Sequence, residues 1–240
     1  CFHRYGGNFD TYKNKNQVDA TIQLYSKAFS DGIRNSIAGN FKDPKWQYIG
    51  IITDSLKYST LNTDGITNWI YRWDETQNAV SCWAEKLNEQ SHLYAWNGYC
   101  IAQENERTYT YSGSLLNKNH TYNLTYSDSK YRSDDLGNNL ITNSYSGPID
   151  ITSLSMDNFI NVEATIYIYN TGSYAEWKEQ VSNTLGFNPG QTIQIPINVI
   201  SVLGSEYPRT IASSQAFFIK SFPNGGQFIV DYEKNVYNST

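Results

Sequence analysis

The chain has 240 residues, of which 39% are hydrophobic, 15% aromatic and only 17% charged, and its net charge is −5. That length can bury a core without disulfide or metal support, and the aromatic content excludes a disordered tract. Lys and Arg are scattered singly and no run of 18 apolar residues occurs. The chain therefore lacks a basic stripe for nucleic acid or anionic lipid, and it has no apolar helix to span a bilayer.

Residues 1–16 are polar and read as an arm that opens on Cys1. Cys1 is either a lipidated mature terminus anchored to a membrane surface or the point where a longer chain was trimmed. Gln17–Ile37 is the best helix candidate, because Val18, Ile22, Tyr25, Phe29 and Ile33 recur at spacings of three and four. Gln47–Thr53 reads as a strand, and Leu56, Tyr58 and Thr60 continue as a weaker one. In Ile66–Asp74 the rings of Trp69, Tyr71 and Trp73 alternate, which puts all three on one face of an extended segment. Thr76–Gln90 reads as a helix with Val80, Trp83, Ala84 and Leu87 on one side. His92–Ala102 returns to strand, with Asn97-Gly98 as a hairpin signal between its apolar flanks.

From Thr108 the texture changes to small polar residues alternating with Tyr and Leu, giving two or three polar strands and an exposed loop to about residue 147. Such alternation suits a solvated antiparallel sheet, and it is also what the membrane hairpin of a pore-forming toxin requires. Phe159–Tyr169 follows as a strand with Ile160, Val162, Ala164, Ile166 and Ile168 on one face. Tyr174–Leu185 is a short helix. Gln191–Val202 is a strand with Ile193, Ile195, Ile197 and Val199 inward, which Pro196 moves to a sheet edge. Phe217–Phe222 and Gln227–Tyr232 flank Pro223-Asn224-Gly225-Gly226 as a hairpin. The fold class expected is β-dominated α+β, mostly antiparallel sheet or sandwich, with two or three short helices. It forms a single domain over 1–240 with a subdivision near 103–107.

No pattern of catalytic or metal-binding residues stands out. His3, His92 and His120 do not lie at ligand spacing and no C-x-x-C pair occurs, so neither a metal nor another cofactor is expected. No G-x-S-x-G elbow is present, which leaves no candidate catalytic residue of that class. Glycoside hydrolysis needs two carboxylates, and Asp74, Glu75, Glu85, Glu89, Asp231 and Glu233 are the candidates. Asp74-Glu75 stands closest to the aromatic segment. Cys82 and Cys100 bracket that segment as a disulfide or as two buried thiols. Sequons stand at Asn119, Asn123 and Asn238, as in a secreted glycoprotein.

The function expected is non-enzymatic: an extracellular or particle-surface protein, such as a virion or appendage component. Twenty Tyr and six Trp among many Asn, Ser and Thr offer neutral, hydrogen-bonding contact area for protein partners or self-assembly. A glycan-binding module is the alternative, with Trp69, Tyr71, Trp73 and Trp96 as ligand-binding candidates. The same rings, with Trp83, Tyr94 and Tyr99, would otherwise form a core. A secreted glycoside hydrolase and a pore-former are the remaining alternatives.

Overall fold

The structure is a computed structural model and describes residues 18–26, 46–61, 68–79, 81–103, 107–131, 135–170 and 192–236. It is β-dominated, and every named strand pair is antiparallel. The expected fold class holds, but the two predicted helices within the described residues do not. Strand β1 (Asp19–Ser26) replaces the described part of the first of them, the remainder of Gln17–Ile37 lying outside the described residues. Its sequence alternates strictly, with Ala20, Ile22, Leu24 and Ser26 inward and Asp19, Thr21, Gln23 and Tyr25 exposed. An eight-residue register with β8 (Arg107–Ser114) rewards that period of two. The second predicted helix gives way to a turn and β5 (Trp83–Lys86). Asp74 sets the turn by accepting hydrogen bonds from the Thr76 amide and hydroxyl, and Trp83 pairs across to Trp73 on β4 (Asn68–Trp73). The helix predicted over Tyr174–Leu185 lies outside the described residues.

Two cores organise the strands. The first gathers Ile22 of β1, Tyr109 and Tyr111 of β8, and Ile70 of β4. It adds Ile49 of β2 (Gln47–Ile49), Tyr99 and Ile101 of β7 (Tyr99–Gln103), and Leu93 of β6 (His92–Tyr94). The sheet order on one side is β2-β7-β4-β5; β1-β8 lies opposite, and β3 (Ser55–Lys57) pairs with β6. Only Ser55–Lys57 of the weaker strand is extended, and Tyr58–Leu61 forms one turn of helix, α1.

The second core lies between two sheets. One has the order β10-β16-β13-β14, built from Asn138–Thr142, Ala216–Lys220, Thr165–Tyr169 and Thr192–Pro196. The other has the order β12-β17-β9, built from Phe159–Ile160, Gly226–Val230 and His120–Leu124. Ile141, Phe217, Ile219, Ile166 and Ile195 face Tyr122, Leu124, Phe159, Phe228 and Val230 across it. A short pair, β11 (Ile149–Asp150) with β15 (Thr210–Ile211), and the helix α2 (Tyr232–Asn235) close one end. Strand β14 is an edge strand as Pro196 implies, and the chain leaves it as a 3₁₀ turn over Ile197–Val202.

Several other expectations are corrected by tertiary pairing. Asn97-Gly98 does not close a hairpin, because β6 pairs with β3 while β7 pairs with β2 and β4. Asn97 instead bridges Ile141, and the Gly98 amide donates to the Leu140 carbonyl at 3.1 Å. Pro223-Asn224 does form a turn, with Asn224 at φ 78° and the Gly225 amide donating to the Phe222 carbonyl. Yet β16 and β17 do not pair with each other: β16 runs antiparallel to β13 and β17 to β12. The turn is thus an insertion in a continuous strand partnership. Asn161, at φ 51°, breaks the predicted strand over 159–169, so Phe159 points inward and Ile160 is 49% exposed. Residues 140–145, read as an exposed loop, are buried. Strands β8 and β9 belong to different cores rather than to one hairpin. Among the described residues, no helix is long and apolar enough to cross a membrane.

A polar seam joins the halves. Asn143 is fully buried and uses every group it has: its Nδ2 donates to the Gly147 and Ile211 carbonyls, its Oδ1 accepts from the Tyr145 amide, and its backbone bonds Gln215 and Ser214. The Gly50 amide donates to Ser214 and the Ser214 hydroxyl returns a bond to the Gly50 carbonyl. A Cβ at Gly50 would overlap the Thr142 side chain, and one at Gly98 would overlap Leu140. Gly98→Ala is therefore expected to cost about 1–3 kcal/mol by over-packing, read as a shift in the urea midpoint. Leu140→Ala in the same chain should recover part of that loss, and strict additivity of the two changes would refute this contact.

Candidate functional site

Antiparallel register places directly opposed residues on one face, and this decides what lies on the outer side of β2-β7-β4-β5. One row runs Tyr48, Cys100, Tyr71, Lys86 and the next pairs Ala102 with Trp69. A third pairs Trp73 with Trp83. Strand β7 supplies only small side chains here, Cys100 and Ala102, with Gly98 just before them, while its neighbours supply rings. The opposing C-terminal sheet presents Phe218 and Tyr169 from its own outer face. Phe218 sits edge-on between Tyr48 at 5.8 Å and Trp73 at 4.9 Å. Tyr48 stacks on Tyr169 at 4.6 Å, Trp73 meets Trp83 edge-on at 5.0 Å, and Trp46 meets Tyr71 edge-on at 5.7 Å. Pairs of this geometry contribute about 0.5–1.5 kcal/mol each beyond their buried area. The Trp73 indole N–H donates to the Asn138 carbonyl at 2.6 Å, which ties the cluster to β10.

These rings are half-buried, so each keeps part of its surface in solvent. Burial raises the Tyr48 hydroxyl well above its ordinary value, with smaller contributions from Cys100 and Tyr169. Burial likewise pushes the Cys100 thiol up to about 12. Among the paired rows of this sheet, Lys86 contributes a basic side chain, whose Nζ lies 5.3 Å from the Trp69 ring centroid.

Trp69, Tyr71 and Trp73 do share one face, as their alternation requires. Trp83 joins them by strand pairing rather than from a helix. Trp96 stands apart, at φ 69°, stacked on His120 at 3.9 Å and edge-on to Tyr145 at 4.9 Å. Tyr99 is fully buried in the first core and accepts a hydrogen bond from the Tyr94 amide, while the Tyr94 side chain is 52% exposed. The residues that sequence reasoning missed are Trp46, Tyr48, Tyr169 and Phe218. The alternation of Trp46 with Tyr48 was a readable signal, whereas nothing local links Tyr169 or Phe218 to them.

Several of the remaining candidates hold structure. Asp74 accepts from Thr76 and Gln77 and pairs with Arg72 at 3.1 Å. Partial burial would raise its carboxyl, but these bonds outweigh it and hold the group below its usual value. Glu75 is buried and its Oε1 accepts from the Ser127 and Gly137 amides at 2.8 and 3.0 Å. Asp231 caps α2 through the Glu233 and Lys234 amides. Cys82 and Cys100 are not joined: each is a buried thiol, and Cys82 Sγ lies 3.8 Å from Asp135. Cys100 lies on β7 and Cys82 just before β5, with β4 between those two strands, which corrects the disulfide expectation. Asn119 accepts from the Tyr232 amide and Asn123 from Gln227, while Asn238, like His3 and Cys1, lies outside the described residues. Among the described residues, no three His, Cys, Asp or Glu side chains converge to hold a metal ion.

With this geometry in place, one curated protein offers a comparison. The chain is 27% identical over 236 positions to the minor fimbrium subunit Mfa5 of Porphyromonas gingivalis, an alignment covering 93% of this chain and 18% of that protein. The chain thus spans less than a fifth of the relative's length. No protein-family model matches it, and no solved structure does.

Burial holds His120 down at about 4, against 6.5 for a free imidazole. The unfolded chain then binds the proton more readily, so stability is full above pH 6.5 and falls as pH drops from 6.5 towards 4. His120→Phe keeps a flat ring on Trp96 without titrating. It should flatten that part of the denaturation-versus-pH curve, and an unchanged slope would exclude His120 as the source.

Proposed function

We propose that this chain is a β-sandwich segment of a cell-surface appendage protein that works through neutral contact area rather than catalysis. The observation that carries this reading is the likeness to a minor fimbrium subunit along nearly the whole chain. The chemistry of the molecule supports it. Of the six carboxylates singled out by sequence, Asp74 and Asp231 are committed to a turn and a cap, and Glu75 to the Ser127 and Gly137 amides. The outer face of β12-β17-β9 presents Thr121, Asn123 and Gln227, which hydrogen-bond without charge, and Tyr25, Tyr94 and Tyr131 stand exposed elsewhere. Surfaces of this kind suit protein partners and self-assembly.

In this reading the two cores act as one unit of the assembly, because the Gly50–Ser214 bonds and the aromatic junction resist separation. Antibodies raised against the chain should label intact cells of its source at the surface or along appendages. Protease added outside those cells should remove the signal. Labelling that requires permeabilised cells would overturn the proposal.

A further inference from the structure

We infer that the open end of the aromatic junction, formed by Trp46, Tyr71, Trp69 and Lys86, binds an acidic sugar. This goes beyond a role in surface assembly and uses a part of the sheet that the packing of the two cores leaves half-exposed. At the closed end, Leu140 fills the space above Gly98 and Phe218 packs between Tyr48 and Trp73. At the other end, Trp46 and Tyr71 meet edge-on at 79°, which makes a corner of two flat walls. A pyranose presents an apolar C–H face and a polar rim, and such a corner accepts the face while leaving the rim in water.

The charge at this corner selects among sugars. Lys86 lies directly across the ladder from Tyr71, and its ammonium is held over Trp69. Among the described side chains of the two rows there is no carboxylate to neutralise it. In a chain of net charge −5, this is a cationic aromatic corner suited to a sugar carboxylate beside a stacked ring. A sialic acid and a uronic acid share that chemistry.

The test is calorimetric titration of the whole chain with sialyllactose, with trigalacturonic acid, and with lactose as the neutral comparator. At least one acid is expected to bind about tenfold more tightly than lactose, a difference of about 1.4 kcal/mol, and which one binds identifies the source. Lys86→Gln should bring that acid down to the lactose level with an unchanged thermal midpoint, and Trp46→Ala should weaken both, with circular dichroism showing both variants folded at the titration temperature. Lys57→Gln, which removes an exposed charge on β3, should change nothing. Four results would overturn the inference: no saturable binding of either acid at millimolar concentration, equal binding of lactose, an unaffected Lys86→Gln, or an equal loss in Lys57→Gln. Self-association abolished by Trp46→Ala without sugar binding would also overturn it, and would assign the corner to a protein contact. Surface labelling of cells is independent of all these outcomes, so the assembly reading stands or falls separately.

Discussion

Close approach of backbone to backbone where the two halves meet is the constraint on which this molecule depends. Gly50 and Gly98 have no side chain to hold Thr142 and Leu140 away, and Cys100 and Ala102 extend the same narrow track along β7. Because that track is shallow, Phe218 can reach between Tyr48 and Trp73, and the backbone of residues 96–98 can bond to β10. Larger side chains there would separate the cores, break the bonds of Gly50 to Ser214 and of residues 96–98 to β10, and expose buried amides, each of which costs about 1–3 kcal/mol when left unsatisfied.

The cores explain why a chain with only 39% hydrophobic residues folds compactly. Tyrosine does much of the filling: Tyr58, Tyr99, Tyr109, Tyr111, Tyr122, Tyr145 and Tyr232 are all buried. Such a choice is workable only if hydroxyls find partners, and several are visible. Tyr58 donates to Asn68, Tyr122 to the Thr142 carbonyl, Tyr145 to the Lys118 carbonyl and Tyr109 to Gln103. Desolvation raises the Tyr58, Tyr122 and Tyr145 phenols above their ordinary value and pushes Tyr111 up to about 12. The abundance of tyrosine is therefore shared between core and surface, so composition alone overstates the contact area.

The same economy shapes the candidate site. Rings that complete the packing at one end of the junction are continuous with rings that face water at the other, so a single row of alternating residues serves both tasks. Lys86 adds a basic group. Asp74 and Asp231 are held by local turns and caps and Glu75 by the Ser127 and Gly137 amides, so the recognition inferred for this site rests on stacking, hydrogen bonding and that ammonium.

By itself the sequence determined the things that depend on neighbours two residues apart. These include the common face of Trp69, Tyr71 and Trp73, the inward Tyr109, Tyr111, Tyr122 and Leu124 of the polar strands, the edge position before Pro196, and the β-dominated class. It misled where spacings of three and four coexisted with alternation, as in β1, because only a partner strand such as β8 tells one period from the other. Turn chemistry at Asn97-Gly98 and Pro223-Asn224 marked where the chain bends but not what the flanking strands pair with. Tertiary structure alone decided that Tyr48, Trp73, Tyr169 and Phe218 meet, since strand partners far apart in the chain are chosen by which faces can be buried together, and that choice is a property of the whole fold.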